Sequence, residues 1–192
     1  MKHFFILLFI FGQQNILNAS PIDSTKVKAE QIVTEFIEAL KSGQYDKIGR
    51  LYHPECLGEL KHYLIQIAKI EKDQKSKKML FLSYGIIDST VNISEVDSIS
   101  LISNFYKSAM SNLPTSSKFG NFRIIGSIYD GQDTIHVLVR NEVSVYGMVA
   151  SNVEINTLKR TANSGFGLIL PDKMIIMLKA AIFRNTSNQL FK

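Results

Sequence analysis

Cysteine is almost missing from this chain: Cys56 is the only one in 192 residues. A single cysteine closes no internal disulfide, so packing must hold the fold together. Cys56 also lies far from the start, which excludes the lipidated cysteine that directly follows a lipoprotein leader; it reads as a buried, inert thiol. Metal-ligand spacing is missing too. His3, His53, His62 and His136 make no His-x-x-x-His, there is no Cys-x-x-Cys, and His53 with Cys56 is one weak pair. No Gly-x-Ser-x-Gly elbow and no phosphate-cradling loop occurs, and Gly165-x-Gly167 stands alone in a turn. No metal or cofactor is therefore expected. Charge of one sign is not concentrated: 22 basic and 17 acidic residues give a net +5, which does not imply nucleic acid. The densest run, Glu71 to Lys78, mixes signs and reads as a solvated helix end or connector.

Long apolar runs are scarce as well, and the one at the start has a definite layout. Lys2 and His3 precede Phe4 to Phe11, Gly12 to Asn15 end the run, and Leu17-Asn18-Ala19 offers a small residue at a cleavage point. This is the three-part pattern of a secretory signal peptide over 1–19, and the run is too short to span a bilayer. The expectation is a protein secreted or held in the periplasm after cleavage near Ala19, with no transmembrane segment in the mature chain. Residues 20–192 then suit one ordinary domain.

Within that domain the character changes near residue 115. Before it, apolar residues recur at helical spacing. Val27, Ala29, Ile32, Val33, Phe36, Ile37 and Leu40 form one stripe, with Ser24 as the expected N-cap and Gly43 at the stop. A short helix is expected from Tyr45 to about Tyr52. Pro54 opens another that carries Leu57, Leu60, Leu64 and Ile67. Residues 79–86 fit a buried strand or a helix ending at Gly85, with helix preferred. Asp97 to Met110 is again helical, until Pro114 to Gly120 break the pattern.

After the break the sequence alternates. Strands are expected over Phe122 to Tyr129, Thr134 to Val145, Val149 to Lys159 and Phe166 to Leu170, with Asp130-Gly131 marking a hairpin. Ile135, Val137, Val139, Val143 and Val145 share the inward face of the second strand, opposite His136, Arg140, Glu142 and Ser144. In the third strand Val153 and Ile155 are read as one face, opposed by Asn152, Glu154 and Asn156. Pro171-Asp172 opens a final helix. The expected class is α+β, with N-terminal helices packed on a curved four-stranded antiparallel sheet and a C-terminal helix closing it.

One stretch carries a resemblance. Val33-x-x-Phe36-x-x-Ala39-Leu40-x-x-Gly43-x-Tyr45-x-x-Ile48-x-x-Leu51-Tyr52-His53-Pro54 resembles the opening of NTF2-like domains (SnoaL-like, cystatin-like cone). The valine-rich strand from Ile135 to Arg140 and those after it resemble that superfamily's curved sheet. Two features depart from it: the helical content between residues 54 and 112, and the helix after the last strand. The resemblance implies a fold, and with it anything from a ligand pocket to an interaction surface.

For function, the residues to watch are Tyr52, His53, Tyr63, Tyr106, His136 and Arg140. Tyrosines on the helical layer can donate hydrogen bonds into a pocket, although an aromatic at core spacing is usually core. His136 and Arg140 project from one side of one strand, where an Arg can clamp a carboxylate or phosphate; with the valines inward, that side is the outer face. Proton-transfer catalysis would need a carboxylate in an apolar pocket facing tyrosine donors. Asp130 and Asp133 read as turn residues, and Glu142 and Glu154 as lying opposite the apolar faces, so no acid is expected inward. No catalytic residue is assigned. The leading expectation is a non-catalytic module that binds a small apolar ligand or a partner. The alternatives are a small cofactor-free enzyme using an apolar pocket, and a self-associating structural protein forming a homodimer through the outer sheet face.

Overall fold

The computed structural model describes residues 23–71, 73–86, 92–163 and 165–190. The expected leader over 1–19 lies outside these residues. Among the described residues, five α-helices precede the sheet: α1 (Ser24–Lys41), α2 (Tyr45–Arg50), α3 (Pro54–Ile70), α4 (Gln74–Ser83) and α5 (Ser98–Ser111). The strands are β1 (Lys118–Asp130), β2 (Thr134–Val145), β3 (Met148–Arg160) and β4 (Phe166–Leu168), and α6 (Asp172–Leu190) follows. The class is α+β, as expected, and residues 79–83 are helical. Among the described residues no helix is long and apolar enough to cross a membrane.

Local chemistry sets the helix ends, with one correction. Asp23, not Ser24, caps α1; its carboxylate accepts from the Thr25 N–H at 3.0 Å and the Lys26 N–H at 3.4 Å. A carboxylate reaches two orphan N–H groups here, and its charge suits the positive end of the helix. The stop is as expected, with Gly43 in the left-handed region at φ 70°. Pro54 fills the first turn of α3 behind its cap, His53. Leu57, Leu60, Leu64 and Ile67 are buried along α3 and meet Val33 and Ile37 of α1 in one core, together with Ile135, Val137 and Val139 of β2. Each such aliphatic side chain contributes about 1.5–3 kcal/mol when fully buried.

The sheet is antiparallel in the order β1-β2-β3-β4. β1 starts earlier than expected and carries irregularities between Phe119 and Phe122 and between Ile124 and Gly126. β4 stops at Leu168, short of Leu170, and the Leu51–His53 stretch covers its far side: the Leu168 N–H donates to Leu51 O and the His53 N–H to Leu168 O, both at 2.8 Å.

The register overturns the reading of β3. Val139 lies opposite Glu154, Val137 opposite Asn156 and Ile135 opposite Leu158, and facing residues in an antiparallel pair share a side. Glu154 and Asn156 therefore lie on the helix-covered face with the buried valines. Val153 and Ile155 lie on the outer face, 52% and 66% exposed. The alternation was real; its apolar half points away from the core.

Candidate functional site

The backbone bonds between β4 and residues 51–53 fix Tyr52 against the sheet, and α5 brings Tyr106 to it. The two hydroxyls lie 2.5 Å apart. Phe36 of α1 meets both rings edge-on, at 5.5 Å from Tyr106 and 6.5 Å from Tyr52. Behind them Phe105 packs edge-on to Tyr106 and stacks on Tyr84 at 5.2 Å. Burial raises the phenol of Tyr52 well above its ordinary value, helped by the neighbouring Tyr106, and pushes that of Tyr106 up to about 12. Both are neutral donors at any physiological pH. Each hydroxyl has one hydrogen, so one is spent on the pair and the other remains for a further acceptor.

This aromatic wall bounds a hollow of about 810 Å³. Phe36, Leu40, Leu168 and Leu170 make it apolar, and Glu154 and Asn156 enter from β3. The Glu154 carboxylate is held on both oxygens, accepting from the Asn141 amide at 2.9 Å and the Asn152 amide at 2.8 Å. Its charge also bears on Tyr106, making that phenol harder to ionise. The expectation that no acid lies inward is thus corrected: Glu154 lines the same hollow as the tyrosine pair. The lining continues on the opposite face of the sheet with His136, Leu138 and Ile155, so the hollow passes around the edge of β3 that β4 leaves uncovered.

The residues singled out from sequence separate into groups. Tyr52 and Tyr106 meet in the hollow. His136 stands at its outer rim, with Nδ1 2.9 Å from Thr157 Oγ1 and Nε2 3.3 Å from Asp130 Oδ2. His53 is buried, and both ring nitrogens are engaged. Nδ1 accepts from the Glu55 N–H at 3.2 Å, so Nε2 carries the hydrogen and donates to Arg160 O at 3.1 Å. That is a helix cap tied to the sheet, with no nitrogen left for a ligand. Tyr63 lies apart on α3, donating to Glu59 at 2.8 Å, with Lys179 of α6 5.9 Å from its ring centre. Arg140 is exposed on the outer face opposite Arg123, outside the hollow. Cys56 is half-buried, and burial pushes its thiol up, away from the reactive thiolate. Among the described residues no three His, Cys, Asp or Glu groups converge to hold a metal ion.

Phe36 and Leu40 are visible in the sequence only as part of the α1 stripe; nothing there separates core from hollow lining. Glu154 carries no signal of its own once its strand is read in the wrong orientation. No protein-family model, curated protein or solved structure matches this chain.

Proposed function

We propose that this protein is an exported, non-catalytic binding module that holds a small apolar ligand in the hollow between α1, α5 and the sheet. The observation that carries the reading is a mostly apolar hollow with a neutral tyrosine pair in its wall; its volume of about 810 Å³ counts both this side and the part that passes around the β3 edge to the outer face. That volume lies inside the range of small-molecule sites, about 300–1,000 Å³, which are apolar with a few fixed polar groups. The spare phenol hydrogen selects a ligand with one acceptor, such as a carbonyl or ether oxygen. The export step and the NTF2-like resemblance belong to the same proposal.

The test is binding of an apolar anilinonaphthalene dye, together with native mass spectrometry of the purified protein for a retained small molecule. Leu40→Trp fills the hollow and should weaken dye binding at least about tenfold. Unchanged binding in that variant, with its melting temperature preserved, would place the dye elsewhere and sink the reading. A second reading rests on Glu154: a carboxylate facing a phenol pair is the arrangement for cofactor-free proton transfer. Glu154→Gln separates the two, since a binding module keeps its ligand affinity and an acid–base enzyme loses turnover.

A further inference from the structure

The two long edges of this sheet are built differently. β1 has two register irregularities and carries Lys118 and Arg123, and Lys41 of α1 donates to its Gly120 carbonyl at 2.7 Å. Bulges, charges and a covering helix are the usual means of keeping an edge from pairing with another chain. Beyond the end of β4, β3 has no bulge and, among the described residues, no covering helix, and its one charge is Glu154. Its register with β2 is unbroken from Lys159 to Met148. The stretch Met148-Val149-Ala150-Ser151-Asn152-Val153-Glu154-Ile155 has no Pro, Gly, Lys or Arg, and a single charge.

The direction of its free backbone groups is known. Ile169 N–H donates to Thr157 O at 3.0 Å, and Thr161 N–H to Gly165 O, so odd-numbered residues of β3 face away from β2. By alternation Val149, Ser151, Val153 and Ile155 each turn one N–H and one C=O to the open side. Among the described residues nothing bonds to them. Their midpoint is Asn152.

We propose that a second copy of this chain pairs with this edge, β3 against β3, antiparallel across a two-fold axis at Asn152. In that register Val149 exchanges both hydrogen bonds with the partner's Ile155 and Ser151 with the partner's Val153, and the reciprocal pairs close the rest. No other two-fold register satisfies all four residues. Centring on Ser151 leaves Ile155 opposite the glycine of the turn. Side chains agree with the choice. Ile155 meets the partner's Val149 on the outer face, and Glu154 meets the partner's Ala150 rather than its own mate. The outer face is a poorer self-partner, because the like charges of Arg123 and Arg140 stand side by side on it.

The pairing also accounts for the hairpin tip, where Tyr146 is 74% exposed and Met148 72%. The partner's strand ends beside Thr157, where Ile169 begins the occupied part of the edge. Its turn therefore abuts residues 169–171 at the mouth of the hollow. The inference goes beyond the ligand reading and stands without it.

Light scattering of the purified protein across a concentration series should show a dimer. Ser151→Pro removes an N–H that β2 does not use, so the hairpin survives and the dimer dissociation constant rises about a hundredfold. Val153→Lys, which keeps every backbone group, should act in the same direction. In a Cys56→Ser background, Asn152→Cys should form a covalent dimer under mild oxidation. Val149→Cys should not, because it faces the partner's Ile155. A monomer at every concentration overturns the proposal. So does a dimer that Arg140→Glu dissolves while Asn152→Cys stays uncrosslinked, because that result moves the interface to the outer face.

Discussion

One methyl group added at two glycines should move stability in opposite directions. Gly167 sits in β4 against the α2–α3 junction, and a Cβ there would lie 2.7 Å from both the N and the Cα of His53 and 3.1 Å from its Cβ. These are backbone and branch-point atoms, with no flexible end to swing aside. Relief requires the junction to move off β4. That movement strains the two backbone bonds of 2.8 Å linking Leu51 and His53 to Leu168, and it shifts the buried His53 ring that spans Glu55 and Arg160. Overpacking costs about 1–3 kcal/mol and each weakened hydrogen bond about 1, so Gly167→Ala should lose about 3 kcal/mol. At roughly 2–4 °C per kcal/mol for a chain of this length, the melting temperature falls about 6–12 °C. Gly58, in the middle of α3, has nothing within 4 Å of an added Cβ. There Ala replaces the less favourable helix former in open space, and stability should rise about 0.5–1 kcal/mol. Urea titrations followed by far-ultraviolet circular dichroism measure both, with unchanged m values as the check on two-state behaviour. A Gly167→Ala protein within about 0.5 kcal/mol of the parent would refute the close packing of β4 on the helical junction.

Two further predictions test the aromatic wall and the hairpin tip. The phenols of Tyr84 and Tyr106 are pushed up to about 12 and burial also raises that of Tyr52 well above its ordinary value, so the folded state keeps protons that the unfolded chain releases near 10. Stability is full below pH 10 and falls as pH rises toward 12, by about 1.4 kcal/mol per pH unit for each such tyrosine; tyrosinate absorbance from these three should appear only with unfolding. At the tip, Tyr146 and Gly147 have φ 51° and 78°, the left-handed pair that a two-residue hairpin turn uses and that Asn-Gly fits best. Tyr146→Asn should stabilise the single protomer by about 1 kcal/mol in urea titration, and a destabilised variant would mean that the Tyr146 ring packs within its own protomer.

Much of the fold was legible because each element announces itself locally. The α3 spacing of Leu57, Leu60, Leu64 and Ile67 picks out buried positions one by one, since a helix in a layered fold has one covered stripe. Asp-Gly at 130–131 and the valines of β2 place the β1–β2 hairpin and its inward face. What the sequence could not carry was anything decided by distant partners. That Tyr52 meets Tyr106 depends on residues 51–53 pairing with β4, more than a hundred positions away. Whether Leu40 fills core or bounds a hollow depends on where β4 ends.

β3 shows how an alternation can be read correctly and oriented wrongly. Period two says that Val153 and Ile155 share a side; only the register with β2 says which side that is. The usual assumption assigns the apolar side to the core, and here the core side holds Asn152, Glu154 and Asn156. A strand that turns polar groups toward its helical layer and aliphatic ones outward is inconsistent with the needs of a lone protomer. Inconsistencies of this kind concentrate where a sequence answers to something besides its own folding. Glu154 and Asn156 line the hollow and Asn152 holds the Glu154 carboxylate, the outward aliphatics flank the uncovered edge, and both sets lie in the part of β3 that β4 leaves open. A ligand and a second copy share Glu154 and Ile155, which line the hollow and also lie in the paired stretch, whereas Asn156 belongs to the hollow alone and Val153 to the edge alone. Asn156→Val should alter the hollow and leave dimerisation intact, and Val153→Lys should do the reverse. If either substitution moves both readouts together, the two roles of β3 are one.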